Sequence, residues 1–156
     1  MTYSPKVLCK STDKSEAVFW ENCSKGNNVL QFKSVSLQPK DITLPGKITL
    51  SWTAEAKHHL RGLMAKVQFH KKMYFWMEIP CPHFFNCEFT FCDWLDREPS
   101  CSFTPNSSIN ATKSFDYTMT KGLSFLTSGS YSAKLTLLSN GKVVGCVRVY
   151  FEITAS

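Results

Sequence analysis

The chain lacks any apolar run near the roughly 18 residues that a helical membrane span requires. It also lacks a block of about five or six like charges. Its excess of cations, a net charge of +6, is dispersed as Lys57 and Arg61 around His58-His59, as Lys71-Lys72 after His70, and as single residues. That dispersal argues against a nucleic-acid stripe. No repeat and no long stretch with helical period is present, so a helical bundle is not expected. Gly-x-Ser-x-Gly, a Walker loop, a dinucleotide fingerprint and His-Glu-x-x-His are all missing, and an enzyme is therefore not expected. The four histidines, His58, His59, His70 and His83, sit beside cations or a proline, where solvated surface residues are the rule.

What is present begins with seven cysteines, Cys9, Cys23, Cys81, Cys87, Cys92, Cys101 and Cys146. Zinc is normally held by paired Cys-x2-Cys knuckles, and thiol redox work by Cys-x-x-Cys in a βαβ setting. Neither spacing occurs, so Cys81, Cys87 and Cys92 are read as disulfide staples and not, with His83, as metal ligands, and no metal and no cofactor are expected. Disulfides imply an oxidising compartment, and the sequons at Asn106 and Asn110 agree with it. A third sequon, at Asn22, is weak if Cys23 is bridged and buried. The N-terminus MTYSPKVLCKSTDKSE has no signal-like apolar core, so a secretion signal is expected to have been removed. A secreted or lysosomal protein is expected. Its basic charge would favour anionic partners through a salt-screened attraction.

Alternation with period two dominates the rest. Ile48, Leu50, Trp52 and Ala54 alternate with polar or small residues, and Leu63, Ala65, Val67 and Phe69 alternate with Met64, Lys66 and Gln68. MYFWMEI reads as a strand apolar on both faces, Met73, Phe75, Met77 and Ile79 on one and Tyr74 and Trp76 on the other. Asn140-Gly141 predicts a two-residue hairpin turn between YSAKLTLL and KVVGCVRVYFEI. On the last strand Val143, Val147, Val149, Phe151 and Ile153 are expected on one face and Cys146, Arg148, Tyr150 and Glu152 on the other. HFFNCEFTFCDWL reads as a strand followed by a helical turn, and the segment from Arg97 to Lys113, with its prolines, serines and sequons, as a long exposed loop. Six to eight short strands predict an all-β antiparallel sandwich or cup, as one domain over residues 19–156 behind a flexible extension, residues 1–18.

Twelve Phe, five Tyr and four Trp exceed what such a sandwich must bury. A strand apolar on both faces, followed by a stapled Phe-rich segment, suits two sheets held apart around an apolar cavity. Candidate lining residues are Trp52, Met64 and Phe69 in the first strands, and Met73, Phe75 and Trp76 in the two-faced segment. Phe85, Phe89 and Phe91 follow in the stapled segment, and Phe125, Leu126 and Leu135 near the end. Lys71, Lys72 and Lys121 are candidates for anionic headgroups.

The combination of FWENC, LQPKDITLPGKITL, FWMEIPC, CEFTFCDWLD and LSFLTSGSYSAKLTLLSNGKVVGC resembles the lipid-activator branch of the ML lipid-recognition family, from about Phe19 to Ile153. The resemblance implies an immunoglobulin-like antiparallel cup around an apolar pocket, and a non-enzymatic protein that lifts single glycosphingolipids or phospholipids from membranes. It further implies the pairs Cys23–Cys146, Cys81–Cys87 and Cys92–Cys101, a transient anionic membrane surface, a glycosidase as partner, and a monomer or weak dimer. Trp76 and Phe125 fall where the family carries membrane-meeting aromatics, although the position of Phe125 holds Trp in the member resembled. The loop after Cys92 is shorter than the family pattern and lacks one cysteine pair, and Cys9 is left as an odd thiol. The alternative is a secreted protein-interaction module that kept the cup and lost lipid transfer.

Overall fold

A computed structural model describes residues 19–24, 29–39, 41–44, 46–81, 86–94, 102–117 and 128–155. Those residues form twelve strands: β1 (Phe19–Asn22), β2 (Leu30–Gln38), β3 (Asp41–Leu44), β4 (Gly46–Ala56), β5 (Leu60–Arg61), β6 (Leu63–Lys72), β7 (Trp76–Ile79), β8 (Glu88–Thr90), β9 (Ser102–Phe103), β10 (Ser107–Tyr117), β11 (Gly129–Ser139) and β12 (Lys142–Ala155). One 3-10 turn, Phe91–Trp94, follows β8. A seven-stranded sheet runs β1-β12-β11-β6-β7, with β3 beside β12 and β8 beside β6. A three-stranded sheet, β10-β4-β2, faces it, and β5 pairs with β9. Every pairing is antiparallel except that of β3 with β12. The all-β sandwich expected from the alternation is the fold observed.

The period of two decides which side chains meet. On β6 Leu63, Ala65, Val67 and Phe69 point inward, and they pair in register with Ser139, Leu137, Leu135 and Ala133 of β11. On β4 Ile48, Trp52, Ala54 and Ala56 are buried against Leu30, Phe32, Val35 and Leu37 of β2. The outer face of the smaller sheet is a ladder of hydroxyls, with Ser34 to Thr53 at 2.8 Å, Thr49 to Ser114 at 3.0 Å and Ser51 to Thr112 at 3.2 Å. Such cross-strand pairs suit a face turned to water.

The Asn140-Gly141 turn forms as expected, with φ of 54° and 80° closing Ser139 onto Lys142. Three other expectations change. A bulge opposite Leu137 and Leu138 inserts Val144, so Val144 turns inward and Val143 is 41% exposed on the outer side. Its cause is close sheet-to-sheet contact, because a Cβ on Gly145 would lie 2.9 Å from the Leu30 carbonyl oxygen. Met73–Phe75 is not strand but the tip of the β6–β7 hairpin, closed by the Met73 N–H donating to the Phe75 carbonyl at 2.9 Å. Much of the expected loop from Arg97 to Lys113 is strand: β9 and β10 occupy it, with the turn before β10 held by the Asn106 N–H donating to the Ala56 carbonyl at 2.7 Å.

The first and last strands are joined as the family resemblance implied. Cys23 is bridged to Cys146, and the Cys23 N–H donates to the Cys146 carbonyl at 2.9 Å. Asn22 ties the sheets together beside them, its side chain donating to the Phe32 carbonyl and accepting from the Phe32 N–H at 3.3 Å each. Cys81 is bridged to Cys87. Cys92 is disulfide-bonded, while Cys101, its expected partner, and Cys9 lie outside the described residues, as does the extension 1–18.

Candidate functional site

Burial along the inward face is not uniform. At one end of the strands Leu30, Ala56, Leu60, Leu63 and Leu137 are sealed from solvent, and at the other end Ile42, Ile48, Tyr131 and Ile153 are also buried. Between them lie inward residues that are only partly covered: Leu50, Phe69, Ile79, Ala111, Ala133, Leu135, Val149 and Phe151. These positions alternate correctly for core and pack against it, yet the facing sheet does not close over them. An apolar surface turned inward and left accessible is what a cup provides and a filled sandwich does not.

The walls contain few polar groups. Trp52 is buried, stacked on Phe91 at 5.2 Å between centroids and edge-on to Phe32 at 5.6 Å. Among the described residues its indole Nε1 has no hydrogen-bond partner, leaving a donor inside an apolar interior. Lys71 occupies the inward row of β6, with its Nζ 5.3 Å from the centre of the Tyr131 ring. Lys113 shares the face of β10 that carries Ile109 and Ala111, opposite Leu50, and is half-buried there. Two amines thus stand on the same side of the sheets as the accessible apolar positions.

Of the residues singled out by sequence, Trp52, Phe69, Phe89, Phe91 and Leu135 face the interior, Phe89 and Phe91 as buried core. Met73 and Phe75 are at the hairpin tip with Tyr74, and the three are 57, 66 and 101% exposed. Met64 and Trp76 lie on the outer face of the larger sheet: Met64 accepts from the Thr90 hydroxyl at 3.8 Å, and the Trp76 ring is 5.6 Å from that of Tyr150. Lys72 is also outward. Phe85, Phe125, Leu126 and Lys121 lie outside the described residues. Sequence reasoning missed Leu50, Ala111, Lys113, Val149 and Phe151 as accessible interior positions. Alternation of Ile109, Ala111 and Lys113 with Asn110 and Thr112 was a usable signal, masked by the prolines and sequons around it. Both sequon asparagines are exposed, Asn110 on the outer, hydroxyl-bearing face.

Among the described residues no group of three or more His, Cys, Asp or Glu could hold a metal ion. No family model matches the chain. It is 27% identical to the ganglioside GM2 activator of Macaca fascicularis over 151 residues, covering 83% of this chain and 80% of that protein. The ganglioside GM2 activator of Mus musculus is 26% identical over 151 residues, covering 83% and 78%. Over most of its length the chain is thus similar to the ganglioside GM2 activators. In fold, this activator-like chain is similar to a Niemann-Pick type C2 protein from Japanese carpenter ant, with a TM-score of 0.60 at 13% identity over 87% of this chain and 99% of that one. The likeness is one of fold, an antiparallel β-sandwich that in this chain carries the bridges Cys23–Cys146 and Cys81–Cys87.

Proposed function

We propose that the protein is a non-enzymatic lipid carrier that draws single glycosphingolipids or phospholipids out of membranes into the accessible apolar interior. The carrying observation is the set of inward positions, from Leu50 to Phe151, that the facing sheet leaves partly uncovered. Homology to ganglioside GM2 activators supports the same reading. Each methylene moved from water into such a surface gains about 0.8 kcal/mol, so an acyl chain supplies the affinity and the polar groups the selectivity. The unpaired Trp52 Nε1 suits a lipid carbonyl or hydroxyl, and Lys71 and Lys113 suit an anionic headgroup.

Membrane contact falls to the hairpin tip. Met73, Tyr74 and Phe75 have almost nothing packed on them, and Lys71 and Lys72 precede them. Exposed apolar tips flanked by cations favour the interface of an anionic bilayer. Presentation of the lifted lipid to a glycosidase, glycosylation at Asn106 and Asn110, and a secreted or lysosomal site of action complete the reading. Native mass spectrometry of the disulfide-intact protein, after incubation with mixed phospholipid and glycosphingolipid vesicles, tests it. One bound lipid per chain, removed by organic extraction, is the expected result; no adduct from any vesicle composition would sink the proposal.

A further inference from the structure

The outer face of the larger sheet carries an open cavity of about 340 Å³, whose lining also takes in Tyr131 and Phe151 of the inward rows. Its origin is visible in the register. Tyr150 of β12 is paired with Phe19 of β1 on one side and with Ser132 of β11 on the other, and Glu152 is paired with Ser130 and with Asp41 of β3. The two strands on the far side contribute Trp76 and Lys72, themselves a register pair. Small serines on the intervening strand leave a depression, and three aromatic side chains border it. The Phe19 and Trp76 rings lie 5.0 and 5.6 Å from that of Tyr150.

Two details of this depression are unexplained by folding. Asp41 and Glu152 are neighbours on adjacent strands, a like-charge juxtaposition that costs stability, and among the described residues neither forms an ion pair. Of the aromatic residues Phe19 is 61% exposed, while Trp76 and Tyr150 are half-buried. Aromatic faces and carboxylates converging on one cavity present negative π surface and negative charge together, which is how proteins hold quaternary ammonium groups. Lys72, lining the same cavity, carries charge of the opposite sign, as does Arg148 beside Tyr150, and suits a phosphate attached to such a group.

We propose that Phe19, Trp76 and Tyr150, with Asp41 and Glu152, form a second binding site for a trimethylammonium group, as found on free choline compounds or on a choline phospholipid headgroup. The five side chains named stand on the outer face of the larger sheet, away from the inward row that carries Leu50, Leu135 and Val149. Only its use at a bilayer rests on the reading of the hairpin tip, since Lys72 and Trp76 immediately flank Met73–Phe75.

The test is saturation-transfer NMR on the N-methyl protons of tetramethylammonium, choline and phosphocholine with the folded, disulfide-intact protein. We expect saturable binding that ethanolamine competes for poorly, weakened about fivefold or more by Trp76→Ala and about threefold or more by the pair Asp41→Asn and Glu152→Gln. The carboxylate pair changes neither the apolar interior nor the tip, so lipid uptake by that double variant should match the parent. No saturable signal at tens of millimolar, or a signal unaltered in both variants, overturns the site, whatever the interior binds. Vesicle flotation separates the sources. Binding to phosphatidylcholine vesicles that phosphocholine competes away assigns the site to a headgroup, whereas phosphocholine binding with no effect on vesicles assigns it to a soluble ligand.

Discussion

The sealed end of the sandwich and its half-open middle are built from the same strands, and the same alternation, with opposite results. At the sealed end Gly145 brings β12 against the Leu30 carbonyl, Asn22 bonds both ways to Phe32, and Cys23–Cys146 locks the seam. Further along the same strands, Leu135, Val149 and Leu50 face inward with solvent still reaching them. An inward position is therefore not a core position. Whether it becomes one depends on how closely the opposite sheet approaches, and that is fixed at a few sites of close contact.

The comparison breaks most sharply at the seam. Replacing Cys23 and Cys146 by serine releases a loop of 123-residue separation and should cost about 4 to 5 kcal/mol, against about 2 for the Cys81–Cys87 bridge of 6-residue separation, in denaturant midpoints. Leu63→Ala, at a position with 0% exposure, should cost about 2 to 5 kcal/mol. Leu135→Ala should cost less than half of that and yet lower lipid uptake in the native mass spectrum; equal costs would mean the middle is closed. Gly145→Ala should cost about 1 to 3 kcal/mol, because its Cβ meets backbone that cannot move aside cheaply. Replacing Tyr74 and Phe75 by serine should leave stability within about 0.5 kcal/mol and reduce vesicle association several-fold.

The smallest effect concerns Tyr150. Partial burial, and then the hydrogen bond it donates to Glu21 at 2.7 Å with that carboxylate's charge, raise its pKa above the ordinary tyrosine value. The neutral phenol is thus the favoured form in the folded protein. The stabilisation is complete below about pH 10 and is lost as pH rises through the folded-state value. Tyr150→Phe should remove that alkaline decline from the urea midpoint measured above about pH 10.

Much of the frame was legible in the residues. Alternation gave β4 and β6, Asn140-Gly141 gave the last hairpin, and HFFNCEFTFCDWL yielded the short strand β8 and its 3-10 turn. The misreadings have non-local causes. Val144 enters the core because Gly145 meets Leu30 across the sandwich, a contact that neither segment announces. β10 was obscured because its outer positions Ser108, Asn110, Thr112 and Ser114 have the composition of a loop, while Ile109 and Ala111 mark the inner ones between them. MYFWMEI is apolar on both sides for two reasons: Met77 and Ile79 turn inward, whereas Trp76 joins Tyr150 on the outer face. Of the candidate site, Trp52, Phe69 and Leu135 could be named from sequence. That their neighbours would remain uncovered could not, because it depends on the distance between sheets.

The pairing of β1 with β12 also has a consequence for synthesis. The amino-terminal strand, with Phe19 and Trp20, finds its partner only after Val147–Tyr150 has been made. At about 5 to 20 residues per second, that wait is on the order of 10 s. For that interval an aromatic strand and a free Cys23 thiol are both without their native partners. The nascent chain should therefore engage holding chaperones and thiol oxidoreductases before it is complete, and a circular permutant that places β1 after β12 should fold with less mispaired product.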